Sequence, residues 1–218
     1  MFKAIIFDLD GTLLDTISDL TSSLNAALKE VNQDEYTDEQ VITFVGNGMR
    51  RLVDLALHEK ASNQEIDHVL ERFKFHYAQN YNVKTKPYPN IVDTVYQAKE
   101  LGFALGVCSN KANEYVQQLM SHHFKEDTFD FVLGEVEFIE RKPAPDMALE
   151  VAANLGVAPR ECLFVGDSTV DIQTAKAANM PIVAMTYGFN SEEKLLSENP
   201  EYTADNANEL LRIIKALV

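Results

Sequence analysis

Residues 4–13 read AIIFDLDGTL, an apolar run followed at once by two aspartates, a glycine and a threonine. A short apolar run without polar alternation is typical of a strand buried on both faces, as in a parallel sheet covered by helices. Residues two apart in extended backbone point to the same side, so the carboxylates of Asp8 and Asp10 are predicted to lie together after this strand. Because open α/β sheets carry their sites at the carboxyl ends of strands, the stretch predicts both a sheet and the place of its site.

Four further apolar runs, each bounded by polar or turn residues, follow along the chain. They lie at residues 103–108, 131–133, 162–165 and 182–185. Stretches with apolar residues at helical spacing separate the later runs, so strand and helix alternate. This alternation predicts an α/β fold whose core is a doubly wound, Rossmann-like parallel sheet.

The interval between the first two runs is much longer than a single crossover, which needs about a dozen residues or a little more. From residue 16 to residue 86 the apolar residues follow a helical period, with Ile17, Leu20 and Leu24 on one stripe. Pro87 disfavours continuation of a helix and marks the return to the sheet. We therefore expect an α/β core domain formed by residues 1–15 and 87–218, with an all-helical cap domain inserted at residues 16–86.

Composition narrows the classes of partner. The 218 residues include 19 Lys and Arg against 34 Asp and Glu, a formal net charge of −15, which disfavours nucleic acid and anionic membranes as partners. The two cysteines, Cys108 and Cys162, lack the spacing of a zinc site or of a disulfide framework. No apolar run reaches the about 18 residues of a membrane span, and no signal peptide is evident. We expect a cytoplasmic protein, monomeric or homodimeric.

The residues after the first strand indicate a two-carboxylate site. Two acids held close repel each other, so one keeps its proton or both recruit a cation, which suits Asp8 and Asp10 to the roles of nucleophile and acid/base. Gly11 permits an unusual turn, and Thr12 offers a hydroxyl and an amide to an anion. An acidic turn is the alternative for an isolated Asp-x-Asp, but the full Asp-x-Asp-Gly-Thr pattern arises by chance in about one chain in a thousand of this length.

Polar side chains follow three of the later runs as well. Ser109 and Asn110 precede a helix, where they either bind an anion or cap the helix. Lys142 either contacts a phosphoryl group or is a solvated loop residue. Asp167 and Asp171, four apart, are expected on one face of a starting helix, where they hold a hard cation such as Mg²⁺ or complement the helix dipole. Since each group follows a separate predicted strand, they are predicted to converge with the first motif.

These elements, in this order and over nearly the whole chain, resemble the haloacid dehalogenase superfamily. Residues 8–12 resemble its first motif, and residues 166–171 resemble its fourth. Ser109 resembles its second motif and Lys142 its third, and the helical insert resembles its first type of cap. By that resemblance Ser109 and Lys142 would hold the oxygens of a transferring phosphoryl group. The residues predicted to bind substrate are Gly11, Thr12, Ser109, Asn110 and Lys142.

The same resemblance assigns roles to the aspartates. Asp8 would attack phosphorus to form an aspartyl phosphate, and Asp10 would protonate the leaving oxygen and then activate water. Mg²⁺ would be bound by Asp8, the backbone carbonyl of Asp10 and Asp167, with Asp171 in support. Such a site would be locally positive within an acidic protein, because Mg²⁺ and Lys142 neutralise charge on the phosphoryl oxygens.

Within the superfamily, the acid at position 10 argues against a dehalogenase or a phosphonate hydrolase. Residues 41–48, VITFVGNG, resemble the cap of phosphoglycolate phosphatases. There Gly46 and Gly48 either let backbone amides approach a small carboxylate or mark a helix stop and restart. Arg50 or Arg51 either pairs with a substrate carboxylate or is solvated.

The sequence thus predicts a Mg²⁺-dependent phosphatase of a small phosphorylated metabolite, with 2-phosphoglycolate as the best single candidate. A sugar-phosphate mutase is the nearest enzymatic alternative, since it would use the same groups but retain its product for re-phosphorylation. A non-catalytic module, in which Asp8 takes up phosphate as a receiver domain does, is the alternative from another class.

Overall fold

A six-stranded parallel sheet, in the order β5-β4-β1-β6-β7-β8, forms the core of the computed structural model, which describes residues 1–217. Its strands are β1 (Ala4–Phe7), β4 (Ala104–Ala112), β5 (Phe131–Glu135), β6 (Cys162–Gly166), β7 (Ile182–Met185) and β8 (Tyr202–Ala204). Two short strands, β2 (Leu14–Asp15) and β3 (Lys86–Pro87), form a separate two-stranded sheet. The α/β class and the doubly wound parallel sheet predicted from the sequence are confirmed.

Strand β1 lies at the centre of the sheet, and all four of its residues are fully buried. It pairs in parallel with β4 on one side and with β6 on the other, so that Phe7 faces Val107 and Val165. The chain first builds the sheet outward through β4 and β5, then crosses to the other side of β1 for β6, β7 and β8. The strand order therefore reverses at β1, the position at which open α/β sheets bind their ligands.

Among the described residues, six α-helices and the short 3₁₀ helix Pro159–Glu161 belong to the same unit as the large sheet. The α-helices are α5 (Ile91–Glu100), α6 (Asn113–His123), α7 (Asp146–Asn154), α8 (Thr169–Ala177), α9 (Glu192–Ser197) and α10 (Ala207–Ala216). Ile6 of β1 shares one buried cluster with Val151 of α7 and Ile172 of α8. The apolar faces of these helices thus cover the sheet and keep water from its strands.

The chain divides into two compact units: one contains Met1–Leu14 and the chain from Pro87 onward, and the other is Asp15–Lys86. The second unit consists of helices and one short 3₁₀ turn (Ile42–Phe44) between α2 and α3. Its helices are α1 (Ile17–Glu30), α2 (Asp38–Val41), α3 (Gly48–Ala56) and α4 (Asn63–Asn80). Helices α1 and α4 pack together, and α4 contributes the stacked rings of Phe73 and Tyr77, whose centroids are 5.6 Å apart. We refer to this unit as the helical unit.

Two features of the sheet differ from the sequence-based expectation. Strand β4 continues to Ala112, beyond the apolar run that ends at Cys108, and its polar residues Ser109 to Lys111 are buried. Strand β8 is only three residues long and lies at the sheet edge, where no apolar run marks it. None of the helices within residues 1–217 combines the length and apolar composition needed to cross a lipid bilayer.

Candidate active site

The residues predicted for the site gather at one edge of the large sheet. Because β1, β4 and β6 run parallel and in register, the residues that follow them emerge at the same edge. Asp10, two residues after Asp8, is partly exposed there. The buried polar residues of this region include Asp8, Thr12, Ser109, Asn110, Lys111, Lys142, Asp167 and Asp171.

Three of the aspartates form a compact cluster. One carboxylate oxygen from each of Asp8, Asp167 and Asp171 lies within 4.8 Å of the other two. The three residues are 8%, 1% and 0% exposed, respectively. Carboxylate oxygens gathered this closely are the ligands that a hard cation such as Mg²⁺ prefers. The structure therefore brings together three of the residues that the sequence predicted as metal ligands.

The electrostatics of this cluster favour a bound cation. Burial, followed by the nearby charge of Asp171, raises the pKa of Asp8 to about 7. Burial and the charges of Asp171 and Asp8 likewise raise the pKa of Asp167 well above its ordinary value. In residues 1–217 no hydrogen-bond donor is aligned on Asp8 Oδ1, although this atom is buried. A divalent cation would restore the ionised carboxylates, so the donor set fits a metal such as Mg²⁺.

Lys142 supplies a positive charge to the cluster. Its Nζ lies 2.6 Å from Asp171 Oδ1, in a hydrogen bond, and 2.9 Å from Asp8 Oδ1, in an ion pair without hydrogen-bond alignment. Burial lowers the pKa of Lys142, but the carboxylates of Asp171 and Asp8 raise it, and the net pKa lies above its ordinary range. The side chain is therefore a fixed cation rather than the solvated loop lysine that the sequence left open.

Asn110 fixes the backbone of Lys142. Asn110 Nδ2 donates to the Lys142 carbonyl at 2.8 Å, and the Lys142 amide donates to Asn110 Oδ1 at 2.9 Å. Ser109 Oγ accepts from the Lys111 amide at 3.4 Å. Helix α6 begins after Ala112, without a side-chain cap. Neither Ser109 nor Asn110 is thus the helix cap that one interpretation of the sequence offered.

Asp167 is held from two sides. Thr12 Oγ1 donates to Asp167 Oδ1 at 2.7 Å, and the Phe189 amide donates to Asp167 Oδ2 at 2.7 Å. Gly11 has φ +87°, and a Cβ there would lie 2.2 Å from Asp167 Oδ2. A Cβ at Gly188 would lie 2.2 Å from Asp167 Cβ. The hydroxyl of Thr12, predicted to face an anion, therefore orients a carboxylate, and both glycines make room for it.

The position of Asp167 corrects one expectation. Asp167 and Asp171 were expected on one face of a starting helix, but α8 begins at Thr169 and Asp167 belongs to the loop before it. Only Asp171 is helical, at the third helical residue, where Ser168 and Asp171 form a reciprocal capping box. The carboxylates of Asp167 and Asp171 are close to each other, as predicted. The loop before α8, and not a helical turn, places Asp167 beside Asp171 and Asp8.

Two groups at this edge were missed by the sequence-based interpretation. Lys111 Nζ lies 3.0 Å and 3.3 Å from the two carboxylate oxygens of Asp10. Tyr187, which follows β7, donates from its hydroxyl to the Thr12 carbonyl at 2.6 Å and packs against Tyr88, with ring centroids 4.4 Å apart and ring planes tilted by 32°. A signal for each existed: Lys111 is two residues after Ser109 on the same strand, and residues 187–189 follow the fifth apolar run.

The helical unit contains the glycines and arginines that the sequence associated with specificity. Gly46 and Gly48 have φ values of +112° and +78°, a region that favours glycine. Arg50 pairs with Asp67 and donates to Asn63 Oδ1 at 3.1 Å. The nearest acidic partners of Arg51 are Asp54 at 2.6 Å and Glu59 at 2.5 Å. Both guanidinium groups are thus engaged by side chains of their own unit.

The sequence matches the family model described as haloacid dehalogenase-like hydrolase over residues 5–185. It is 36% identical over 220 residues to a phosphoglycolate phosphatase of Haemophilus influenzae (strain 86-028NP), with 98% of each chain covered. It is also 34% identical over 212 residues to a phosphoglycolate phosphatase of Aquifex aeolicus, covering 97% of this chain and 96% of the other.

Solved structures show the same similarity. The fold superposes on the crystal structure of a candidate phosphoglycolate phosphatase from Lactobacillus delbrueckii subsp. bulgaricus with a TM-score of 0.92, 38% identity and 98% coverage of both chains. A predicted phosphoglycolate phosphatase from Haemophilus somnus 129pt gives a TM-score of 0.89 at 33% identity, with 97% of both chains covered.

Proposed function

The chain belongs to the haloacid dehalogenase-like hydrolase family and is a phosphoric monoester hydrolase, and on that premise we propose that it is a Mg²⁺-dependent phosphatase that hydrolyses 2-phosphoglycolate through an aspartyl phosphate on Asp8. The observation that carries the proposal is the buried cluster of Asp8, Asp167 and Asp171 with Lys142 bound to it. These groups supply a nucleophile, a cation site and a fixed positive charge at one point.

The metal would be held by Asp8, Asp167 and the backbone carbonyl of Asp10, with Asp171 in support. When bound, Mg²⁺ neutralises charge on the nucleophile and on the phosphoryl oxygens. Asp171 is already bound by Lys142 through Oδ1 and by Ser168 through Oδ2. Asp171 would then support the site by holding Lys142 beside the cation ligands.

In the first half of the reaction, the Asp8 carboxylate forms a bond to phosphorus as the bond to the ester oxygen breaks. Asp10 donates a proton to that oxygen, which leaves as an alcohol. Lys142 and Ser109 hold the phosphoryl oxygens. Phosphoryl transfer depends mainly on positioning and charge neutralisation, which a buried ammonium fixed at 2.6 and 2.9 Å from two carboxylates supports.

In the second half, Asp10 takes a proton from water, and the oxygen of that water attacks phosphorus. The bond between phosphorus and Asp8 breaks, which releases phosphate and regenerates the carboxylate. The partly exposed position of Asp10, with 14% of its side chain accessible, suits a group that must meet both the leaving alcohol and water.

The choice of 2-phosphoglycolate is supported by two independent facts. Relatives that match 98% and 97% of this chain carry the name phosphoglycolate phosphatase. In the helical unit, Gly46 and Gly48 have positive φ values, and without side chains they would let backbone amides approach a small carboxylate. A carboxylate-bearing, two-carbon ester agrees with both.

The test is phosphate release from a panel of small phosphomonoesters, assayed with Mg²⁺ and with chelator. We expect release that requires the metal and a kcat/KM for 2-phosphoglycolate about tenfold or more above that for other alkyl phosphates, a discrimination of about 1.4 kcal/mol. Asp8→Asn serves as the blank. Release of phosphate from no ester above this blank would contradict the proposal, and isomerisation of a sugar phosphate without free phosphate would indicate a mutase.

A further inference from the structure

Lys111 is a second buried ammonium at the active-site edge, and it belongs to neither the metal cluster nor the set of predicted substrate contacts. It lies near the end of β4, and its side chain is 2% exposed. Its Nζ contacts both oxygens of the Asp10 carboxylate, at 3.0 and 3.3 Å. The sequence separation of the two residues is 101 positions, so the contact depends on the pairing of β4 with β1.

A buried ammonium is costly unless hydrogen-bond acceptors compensate it, and the two carboxyl oxygens of Asp10 provide them, so this contact is a specific feature of the site. The two lysines of the site divide the carboxylates between them. Lys142 contacts Asp8 and Asp171, whereas Lys111 contacts Asp10. The Lys111 side chain is almost fully enclosed, and its ammonium is directed at Asp10.

We propose that Lys111 is a positioning residue that holds the carboxyl group of Asp10 in the orientation from which it delivers a proton to the leaving oxygen. The inference rests on the proposed function and deepens it. In the step concerned, Asp8 bonds to phosphorus, the electron pair of the breaking bond goes to the ester oxygen, and that oxygen takes the Asp10 proton. Contact with both oxygens restricts rotation of the Asp10 carboxyl, and a small misplacement of a catalytic group costs a large part of its effect.

This role predicts a dependence on the leaving group. An alkoxide is strongly basic and leaves only when protonated, whereas p-nitrophenolate is weakly basic and leaves without a proton. The kcat/KM value reports the steps up to cleavage of the ester bond and excludes the later hydrolysis of the phosphoenzyme. A comparison of kcat/KM for the two kinds of ester therefore isolates proton donation by Asp10.

The experiment compares wild type and Lys111→Met with 2-phosphoglycolate and with p-nitrophenyl phosphate at saturating Mg²⁺. We expect kcat/KM to fall about 100-fold for 2-phosphoglycolate and to change by no more than about threefold for p-nitrophenyl phosphate. Lys111→Arg, which keeps the charge, is expected to recover part of the lost activity toward 2-phosphoglycolate. An equal loss with both esters, or a loss with neither, would overturn the positioning role.

A second comparison covers the case in which Lys111→Met folds poorly, since this substitution leaves Asp10 without its partner. In an Asp10→Asn background, Lys111→Met should cause no further loss toward 2-phosphoglycolate, because the two residues act as one unit. A further loss of the size seen in the single variant would contradict the inference. A wild-type enzyme inactive toward both esters would overturn the proposed function itself, and this inference with it.

Discussion

At the scale of single residues, the site depends on how Asp167 is enclosed. Hydrogen bonds from Thr12 and from the Phe189 amide fix its two oxygens, each at 2.7 Å. Gly11 and Gly188 lie so close that neither position has room for a side chain. A cation site needs its ligands at fixed distances, so the absence of a Cβ at these two glycines is part of the chemistry.

This enclosure predicts the effect of Gly188→Ala. The added methyl group would meet Asp167 Cβ at 2.2 Å and displace the Asp167 side chain. Supporting residues around metal ligands typically account for about 10- to 100-fold in affinity, so we expect Mg²⁺ affinity to fall by about that factor. Isothermal titration of Mg²⁺ measures it.

Gly106→Ala is the matched control for this variant. Its added methyl would meet Val151 Cγ1 at 2.5 Å, so it also crowds a buried position, but one in the apolar core. It should lower stability and leave Mg²⁺ affinity unchanged. Equal Mg²⁺ affinity in Gly188→Ala and wild type would show that Gly188 does not shape the site.

At the scale of elements, Asp19 links the two ends of the helical unit. It lies in the first turn of α1, is 1% exposed, and accepts hydrogen bonds from the amides of Val83, Lys84 and Thr85 and from the Thr85 hydroxyl. One carboxylate thus fixes the chain that enters β3 against the helix that follows β2. Residues 83–85 lie outside regular structure, and this side chain holds the backbone of all three.

Asp19→Ala should therefore destabilise the helical unit. Its removal leaves several donors without their charged acceptor, and a hydrogen bond to a charged group makes a net contribution of about 1.5–3 kcal/mol. We expect the free energy of unfolding to fall by about 2–4 kcal/mol, a range typical of a buried hydrogen-bonded network. Urea denaturation measures it. Glu71→Ala, an exposed position on α4, is the control and should stay near wild type, while a matching loss there would discount the role of Asp19.

Elements with continuous apolar runs were predicted well from the sequence, and those held by polar contacts were not. The run at residues 182–185 corresponds to β7 residue for residue. The end of β4 was missed because Ser109, Asn110 and Lys111 look like loop residues, although hydrogen bonds and an ion pair let them be buried. The hydrophobic pattern of a segment does not show whether its polar groups are compensated, since their partners lie far away in the chain.

Within the site, the features predicted correctly follow from the strand order, and those missed depend on contacts between residues distant in the chain. The convergence of Asp8, Lys142 and Asp167 followed from the rule that parallel strands end at a common edge. The start of α8 did not follow, because a spacing of four residues fits a helical turn and a loop before a cap equally well. The contact between Lys111 and Asp10 joins two strands, so only their register reveals it.

At the scale of the whole molecule, the net charge of −15 acts on any anionic substrate before it reaches the site. The positive charges at the sheet edge, Lys142 and Lys111, are buried and balanced by nearby carboxylates. The long-range field is therefore repulsive to a phosphate ester, and salt screens it over a Debye length of about 8–10 Å at 0.1–0.15 M.

We therefore expect kcat/KM for 2-phosphoglycolate to rise about twofold between low salt and about 0.15 M NaCl, because screening weakens the repulsion. The turnover number at saturating substrate should not change. The assay is run at saturating Mg²⁺, so that salt effects on metal binding do not contribute. A fall in kcat/KM with added salt would show that a locally positive field guides the substrate.

The central claim is that Asp8 becomes phosphorylated during turnover. The most direct measurement is mass spectrometry of peptides from enzyme quenched in acid during hydrolysis of 2-phosphoglycolate. We predict that the peptide containing Asp8 gains the mass of one phosphoryl group in wild type, and that Asp8→Asn folds, gains no such mass and releases no phosphate. A phosphoryl group on any other residue, or turnover by Asp8→Asn at the wild-type rate, would contradict the account.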